Sequence, residues 1–137
     1  MIRAVLDTNV VVSALLNPEG PTALILTLAI SKKSRCCISE SLFEEYHEVL
    51  ARPEFRLDQQ RVARLMRSLQ KTAVLVVPRK ILQIASDPDD NKVLECALEV
   101  RADFVVTGNI RHFPPRFQDI RVIAPRQFLM VLASSPA

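Results

Sequence analysis

The sequence predicts an α/β domain: a central parallel sheet of four to five strands between two helical layers. Three observations carry that expectation. Short β-prone segments alternate with amphipathic stretches, and no hairpin turn signal joins adjacent strands. Of the 137 residues, 49% are hydrophobic, enough to bury a sizeable core. The length suits one domain spanning 1–137, with no repeat, low-complexity tract or linker long enough to divide it.

Taken in order, Ile2 to Leu6 reads as a first strand stopped by Asp7-Thr8-Asn9, and Val10 to Leu16 as one or two buried helical turns. Asn17-Pro18-Glu19-Gly20-Pro21 is a loop, and a helix capped by Thr22 is expected to run to about Lys32. Arg35 to Ile38 is a second strand. The helix that follows begins around Ser39 to Leu42, carries an apolar face of Leu42, Tyr46, Val49 and Leu50, and ends before Pro53. Leu57 to Leu69 is amphipathic, with Arg56, Arg61, Arg64 and Arg67 opposite its apolar face. Ala73 to Val77 is a third strand. The turn Asp87 to Asn91 leads into a helix from Asn91 to about Val100, with Val93, Leu94, Ala97 and Leu98 inward and Cys96 near the core. Asp103 to Thr107 and Arg121 to Ile123 are further strands, Arg126 to Leu132 a last helix introduced by Pro125, and Ala133 to Ala137 a loose tail.

Composition excludes several functions. Two glycines, Gly20 and Gly108, leave no material for a P-loop or a dinucleotide fingerprint. Three cysteines with no C-x-x-C, and two histidines, exclude a zinc site of standard spacing. Sparse, odd cysteines also argue against a disulfide scaffold, so a reducing, cytoplasmic setting is expected. No leader-like segment opens the chain. The longest apolar run, Ala23 to Ile30, falls far short of the roughly 20 residues that span a bilayer, so no membrane partner is expected. Net charge is +3, with 13 Arg against 5 Lys, a bias that suits phosphate contacts as well as solvated helix faces. Aromatic residues make up 5%, too few for base-stacking platforms.

In open α/β sheets, ligands bind beyond the carboxyl ends of the strands. The first strand delivers Asp7 there, and the fourth delivers Thr107, Gly108 and Asn109. Glu44, Glu45 and Glu48 follow the second strand, and Asp87, Asp89 and Asp90 precede the helix before the fourth. Carboxylates gathered at one edge repel, and a hard cation relieves them; oxygen ligands select Mg²⁺ or Mn²⁺. Each acid has a plainer reading: Asp7 as a helix cap, Asp87, Asp89 and Asp90 as turn and cap residues, the glutamates as solvated surface. His47 and His112 are given no role.

The order of these pieces resembles the PIN-domain ribonucleases, of the kind found as the VapC-like toxin of type II toxin–antitoxin pairs. Val5-Leu6-Asp7-Thr8-Asn9-Val10 is similar to the family's opening strand with its acid and hydroxyl/amide pair. Ile38-Ser39 followed by Leu42-Phe43-Glu44-Glu45-Tyr46 is similar to its strand–Ser–helix segment, and the alignment selects Glu45 over Glu44. Asp87 to Ala97 resembles the third acidic motif, with Asp90 as the matching ligand. Ala102 to Asn109 looks like the strand ending in T-x-D, with Asn109 in place of the acid.

The resemblance implies an endoribonuclease that depends on Mg²⁺ or Mn²⁺ and cleaves single-stranded RNA with a metal-activated water. It implies Asp7, Glu45, Asp90 and Asn109 as catalytic residues. Asp7, Asp90 and Glu45 would be the metal ligands, with Thr8, Asn9 and Thr107 orienting them and Ser13 a weaker candidate. The neutral Asn109 puts a fully charged second metal site in doubt. Lys92 and Arg111 are the bases nearest the acids in sequence. A homodimer and a cognate antitoxin are the partners implied. Two other readings compete. A phosphatase with Asp7 as nucleophile wants a second Asp where Asn9 stands. A non-catalytic RNA- or protein-binding module has Asn109 as its support.

Overall fold

The computed structural model describes residues 1–85 and 87–134. Its centre is one six-stranded sheet between helical layers. The strands are β1 (Arg3–Leu6), β2 (Arg35–Ser39), β3 (Val74–Val76), β4 (Phe104–Val106), β5 (Arg116–Phe117) and β6 (Ile120–Ile123), ordered β3-β2-β1-β4-β6-β5. The first four and β6 run parallel, as the alternating pattern requires. Only β5 is antiparallel, a two-residue strand paired with β6 at the edge. That edge corrects the expectation of a sheet without hairpins. Its turn, Gln118-Asp119, places Gln118 at φ 54° and so uses left-handed backbone without the glycine or asparagine that usually announces it.

The helices are α1 (Thr8–Leu16), α2 (Pro21–Ile30), α3 (Glu40–Leu50), α4 (Gln59–Thr72), α5 (Pro88–Val100) and α6 (Pro125–Ser134). Side-chain caps fix where most begin. Asp7 starts α1, Ser39 accepts the Leu42 N–H at the head of α3, Asp58 caps α4, and Asp87 caps α5 by accepting from Asp89. The cap at Asp58 moves the start of α4 past the expected Leu57. That residue becomes the half-buried position before the cap, five residues before Val62 in the hydrophobic-staple arrangement. The cap at Asp87 starts α5 three residues before the expected Asn91, so Asp89 and Asp90 lie in its first turn, where the helix dipole favours carboxylates.

Thr22 is not the cap of α2. Gly20 holds that position without a side-chain bond, and the buried Thr22 hydroxyl donates to Ser13 Oγ at 3.0 Å. At the other terminus, Ala133 and Ser134 belong to α6 and are not a loose tail; residues 135–137 lie outside the described residues.

β1, β2 and β4 are buried along nearly their whole length, and α5 packs against all three. β3, at the open edge, leaves Leu75 67% exposed. The core gathers Val5, Leu6, Val10 and Val11 with Leu42, Tyr46, Leu94, Cys96, Val105 and Phe128. Among the described residues no single helix is long and apolar enough to cross a membrane.

β1 is the first strand yet lies mid-sheet: the chain builds outward on one side through β2 and β3, then crosses to the other side with β4. The winding reverses between β1 and β4; α1 follows β1 and a 3-10 turn, Ile110–His112, follows β4, and the carboxyl ends of such a pair are where α/β sheets bind ligands.

Candidate active site

Asp7 is the residue after β1, and its N–H continues the ladder onto the Val106 carbonyl at 2.9 Å. Its side chain is 6% exposed and fully engaged. Oδ1 accepts the Thr8 N–H at 2.8 Å, while Oδ2 accepts from Asn9 Nδ2 at 3.0 Å and Thr107 Oγ1 at 2.8 Å. The same groups stitch the two strand ends together. Asn9 Oδ1 accepts the Gly108 N–H at 3.0 Å, and Thr107 Oγ1 accepts the Asn109 N–H at 3.0 Å. Burial pushes the Asp7 carboxyl above its ordinary range and the charge of Glu45 adds to this, against the pull of the Thr107, Thr8 and Asn9 hydrogen bonds.

Glu45 sits mid-way along α3, one residue before Tyr46, whose buried hydroxyl donates to the Leu6 carbonyl at the end of β1. Leu42, Tyr46 and Leu50 anchor the helix in the core and turn Glu45 toward the crevice. Both its oxygens are taken: Oε2 accepts from the Thr8 hydroxyl and Oε1 from Lys92 Nζ at 3.3 Å. Thr8 therefore reaches Asp7 only through its backbone N–H and spends its hydroxyl on Glu45.

Asp90 is held differently. Its Oδ2 is buried and has no hydrogen-bond partner among the described residues; His112 Nδ1 is 3.9 Å away. Burial, then the charges of Asp7 and Asp87, raise its carboxyl to about 6. A cleft of about 590 Å³ unites these groups, lined by Asp7, Thr8, Asn9, Glu45, Asp90 and Asn109, with Thr107 wholly buried beneath.

Ser13 also borders the cleft, but its Oγ accepts from Thr22 and nothing links it to Asp7. Arg111 is exposed and absent from the lining. Its neighbour His112 is turned in by a 3-10 turn over Ile110–His112, whose last N–H donates to the Asn109 carbonyl at 3.0 Å. Sequence reading also passed over Asn91. Its buried Oδ1 accepts the N–H groups of Ile84 and Ala85, tying the segment before Asp87 to the first turn of α5. A polar side chain at an inward helical position was the available signal. All three cysteines are buried, and burial holds their thiols above the ordinary range, which removes them as nucleophiles.

An all-oxygen set with a buried, unpartnered carboxylate oxygen fits a hard divalent cation. Among the described residues no three His, Cys, Asp or Glu side chains stand close enough to enclose an ion. One or two carboxylates completed by water and phosphate oxygens are a set that a hard divalent cation accepts.

The PIN domain family matches this chain over residues 3–111, which takes in both strand ends and all three acids. The chain is also 31% identical over 111 residues to the uncharacterized protein MJ1680 of Methanocaldococcus jannaschii, covering 79% of this chain and 71% of that one. On fold and sequence together, the chain belongs to the PIN-domain family, whose members are generally nucleases.

Proposed function

We propose that this chain is a Mg²⁺- or Mn²⁺-dependent endoribonuclease that cleaves single-stranded RNA. The observation that carries this reading is the buried, unpartnered oxygen of Asp90 in the cleft that also holds Asp7. Asp7 and Asp90 would hold the ion. When bound, it supplies an activated water and neutralises charge on the phosphate in an in-line displacement. The chain's own residues do the rest. Asn9, Thr107 and the Thr8 N–H fix the Asp7 carboxylate in one orientation. Glu45, whose Oε2 accepts from the Thr8 hydroxyl, would take a proton from the attacking water. The Asn109 amide, on the rim, orients water or phosphate without adding charge. No nucleophilic side chain takes part, so no covalent intermediate forms.

The toxin role, with a homodimer and an inhibitory antitoxin, rests on the resemblance to VapC-like toxins. Light scattering at micromolar concentration and growth arrest on expression test that role. The reaction is tested with a labelled single-stranded RNA. Cleavage should vanish with EDTA and return with Mg²⁺ or Mn²⁺. RNA binding without cleavage under any divalent ion would leave a non-catalytic RNA-binding module as the reading.

A further inference from the structure

Lys92 is drawn into the acidic cleft from the first turns of α5. Its ammonium donates to Glu45 Oε1 at 3.3 Å and lies 3.1 Å from Asp89 Oδ1, joining α5 to α3 across the cleft wall. The side chain is 35% exposed, between Glu45 at 11% and Asp89 at 66%, so it stands at the boundary between site and solvent. An ammonium has three donors, and these two carboxylates occupy two. The other permanent cation lining the cleft, Arg52, is turned to Glu48 at 3.6 Å and is itself 49% exposed. Six carboxylates, of Asp7, Glu45, Glu48, Asp87, Asp89 and Asp90, line the same space, and Asn109 adds no charge. A phosphate entering that field needs a cation beyond the one that Asp7 and Asp90 fit.

We propose that Lys92 is the cleft's built-in second cation: held by Glu45 and Asp89 beside the ion that Asp7 and Asp90 fit, it repels that ion and offers its remaining N–H to a phosphate of the RNA. The assignment rests on the nuclease reading above. It makes Lys92 a substrate-positioning residue and accounts for a neutral Asn109 at a site that handles phosphate: an ammonium does the work of a second metal.

The test uses the intact protein and two affinities that need no turnover. Mn²⁺ binding is measured by calorimetry, and binding of a labelled single-stranded oligoribonucleotide by anisotropy in Ca²⁺ across a salt series. Lys92→Met should tighten Mn²⁺ about tenfold, because the ion loses a like charge beside it in the cleft. It should weaken RNA about tenfold and lower the slope of log affinity against log salt by about 0.7, the signature of one lost phosphate contact. Lys92→Arg, which keeps the charge, should hold RNA affinity within about threefold. A Lys92→Met protein with unchanged RNA affinity, or with unchanged Mn²⁺ affinity, overturns the proposal. So does a joint loss of both affinities with a lowered Tm, the behaviour of a strut between α3 and α5. Wild-type protein that binds Mn²⁺ and RNA yet cleaves nothing removes the proposed function and leaves Lys92 to be judged on the two affinities.

Discussion

Asp7 and Asp90 line the same cleft and are held on opposite terms. Asp7 accepts three hydrogen bonds, two of them from side chains, and closes the junction between two central strands. Asp90 rises from the first turn of α5 with one carboxylate oxygen buried and unpartnered. The fold thus completes one acid and leaves the other incomplete. An unsatisfied buried acceptor costs stability, and such a cost persists where a ligand offsets it. Under the proposed function, the first carboxylate serves both the architecture and the ion, and the second serves the ion alone. Substitutions should separate them.

The largest effect is expected on cleavage. Asp7→Asn and Asp90→Asn should each lower RNA cleavage by at least about a hundredfold, since a hard cation loses a full charge from its shell. Mn²⁺ affinity should fall with it in both, as calorimetry would register. Unchanged Mn²⁺ affinity in both variants would remove these residues as ligands.

Thermal stability should then split the pair. Asp7→Ala removes the acceptor for Thr8, Asn9 and Thr107 and should destabilise by about 2–3 kcal/mol. Asp90→Asn should stabilise the ion-free protein at pH 7.5, on the order of 2 kcal/mol, because it removes a buried charge offset only by His112. The pH dependence has a defined sign. The folded carboxyl keeps its proton up to about 6 against an ordinary value of 3.8, so the charge penalty is fully present above pH 6. It shrinks as the pH falls and is absent below about 4, where wild type and Asp90→Asn should melt alike. Equal melting temperatures at pH 7.5 would mean that Asp90 bears no such cost.

The same contrast explains what could be read from residues alone. Asp7 and Asn109 were visible because each follows a short β-prone run, and α/β sheets present ligands at such ends. The parallel order of most strands followed from alternation. The reversal that puts β1 beside β4 did not, since strand order depends on contacts about a hundred residues apart, such as Ala4 against Phe104. Partnerships were equally hidden. The Thr8 hydroxyl turns to Glu45, 37 positions away, and no local pattern distinguishes that from a bond to its neighbour Asp7. The resemblance prefers Glu45 over Glu44; the fold separates them by helical phase, with Glu44 exposed and Glu45 on the cleft. The β5–β6 hairpin carries no local signal, because its left-handed turn residue is Gln118.

A smaller effect tests the completeness of the Asp7 side. Thr107→Val keeps the shape of the buried side chain but removes the hydroxyl that donates to Asp7 and accepts from Asn109. Cleavage should fall about 10–100-fold, as for other groups that orient a metal ligand, and stability by about 1–2 kcal/mol. Activity within twofold of wild type would show that Asn9 and the Thr8 N–H suffice to orient the carboxylate.

The smallest effect is expected one layer deeper, at Tyr46. Its ring is fully buried, and its hydroxyl donates to the Leu6 carbonyl, the last of β1 before Asp7. The side chain also fixes the helical phase that turns Glu45 to the cleft. Tyr46→Phe keeps the ring and its packing while leaving the Leu6 carbonyl without this donor. The expected cost is about 1–2 kcal/mol of stability, read from denaturant unfolding, with an unchanged m value. Asp7 keeps its own three hydrogen bonds, and Glu45 keeps Thr8 and Lys92, so cleavage should fall less than about tenfold. A Tyr46→Phe protein that is stable but as inactive as Asp7→Asn would contradict the division made here. It would show that the geometry of Asp7 is set from β1 through Leu6, and not by the hydrogen-bonded groups that surround the carboxylate itself.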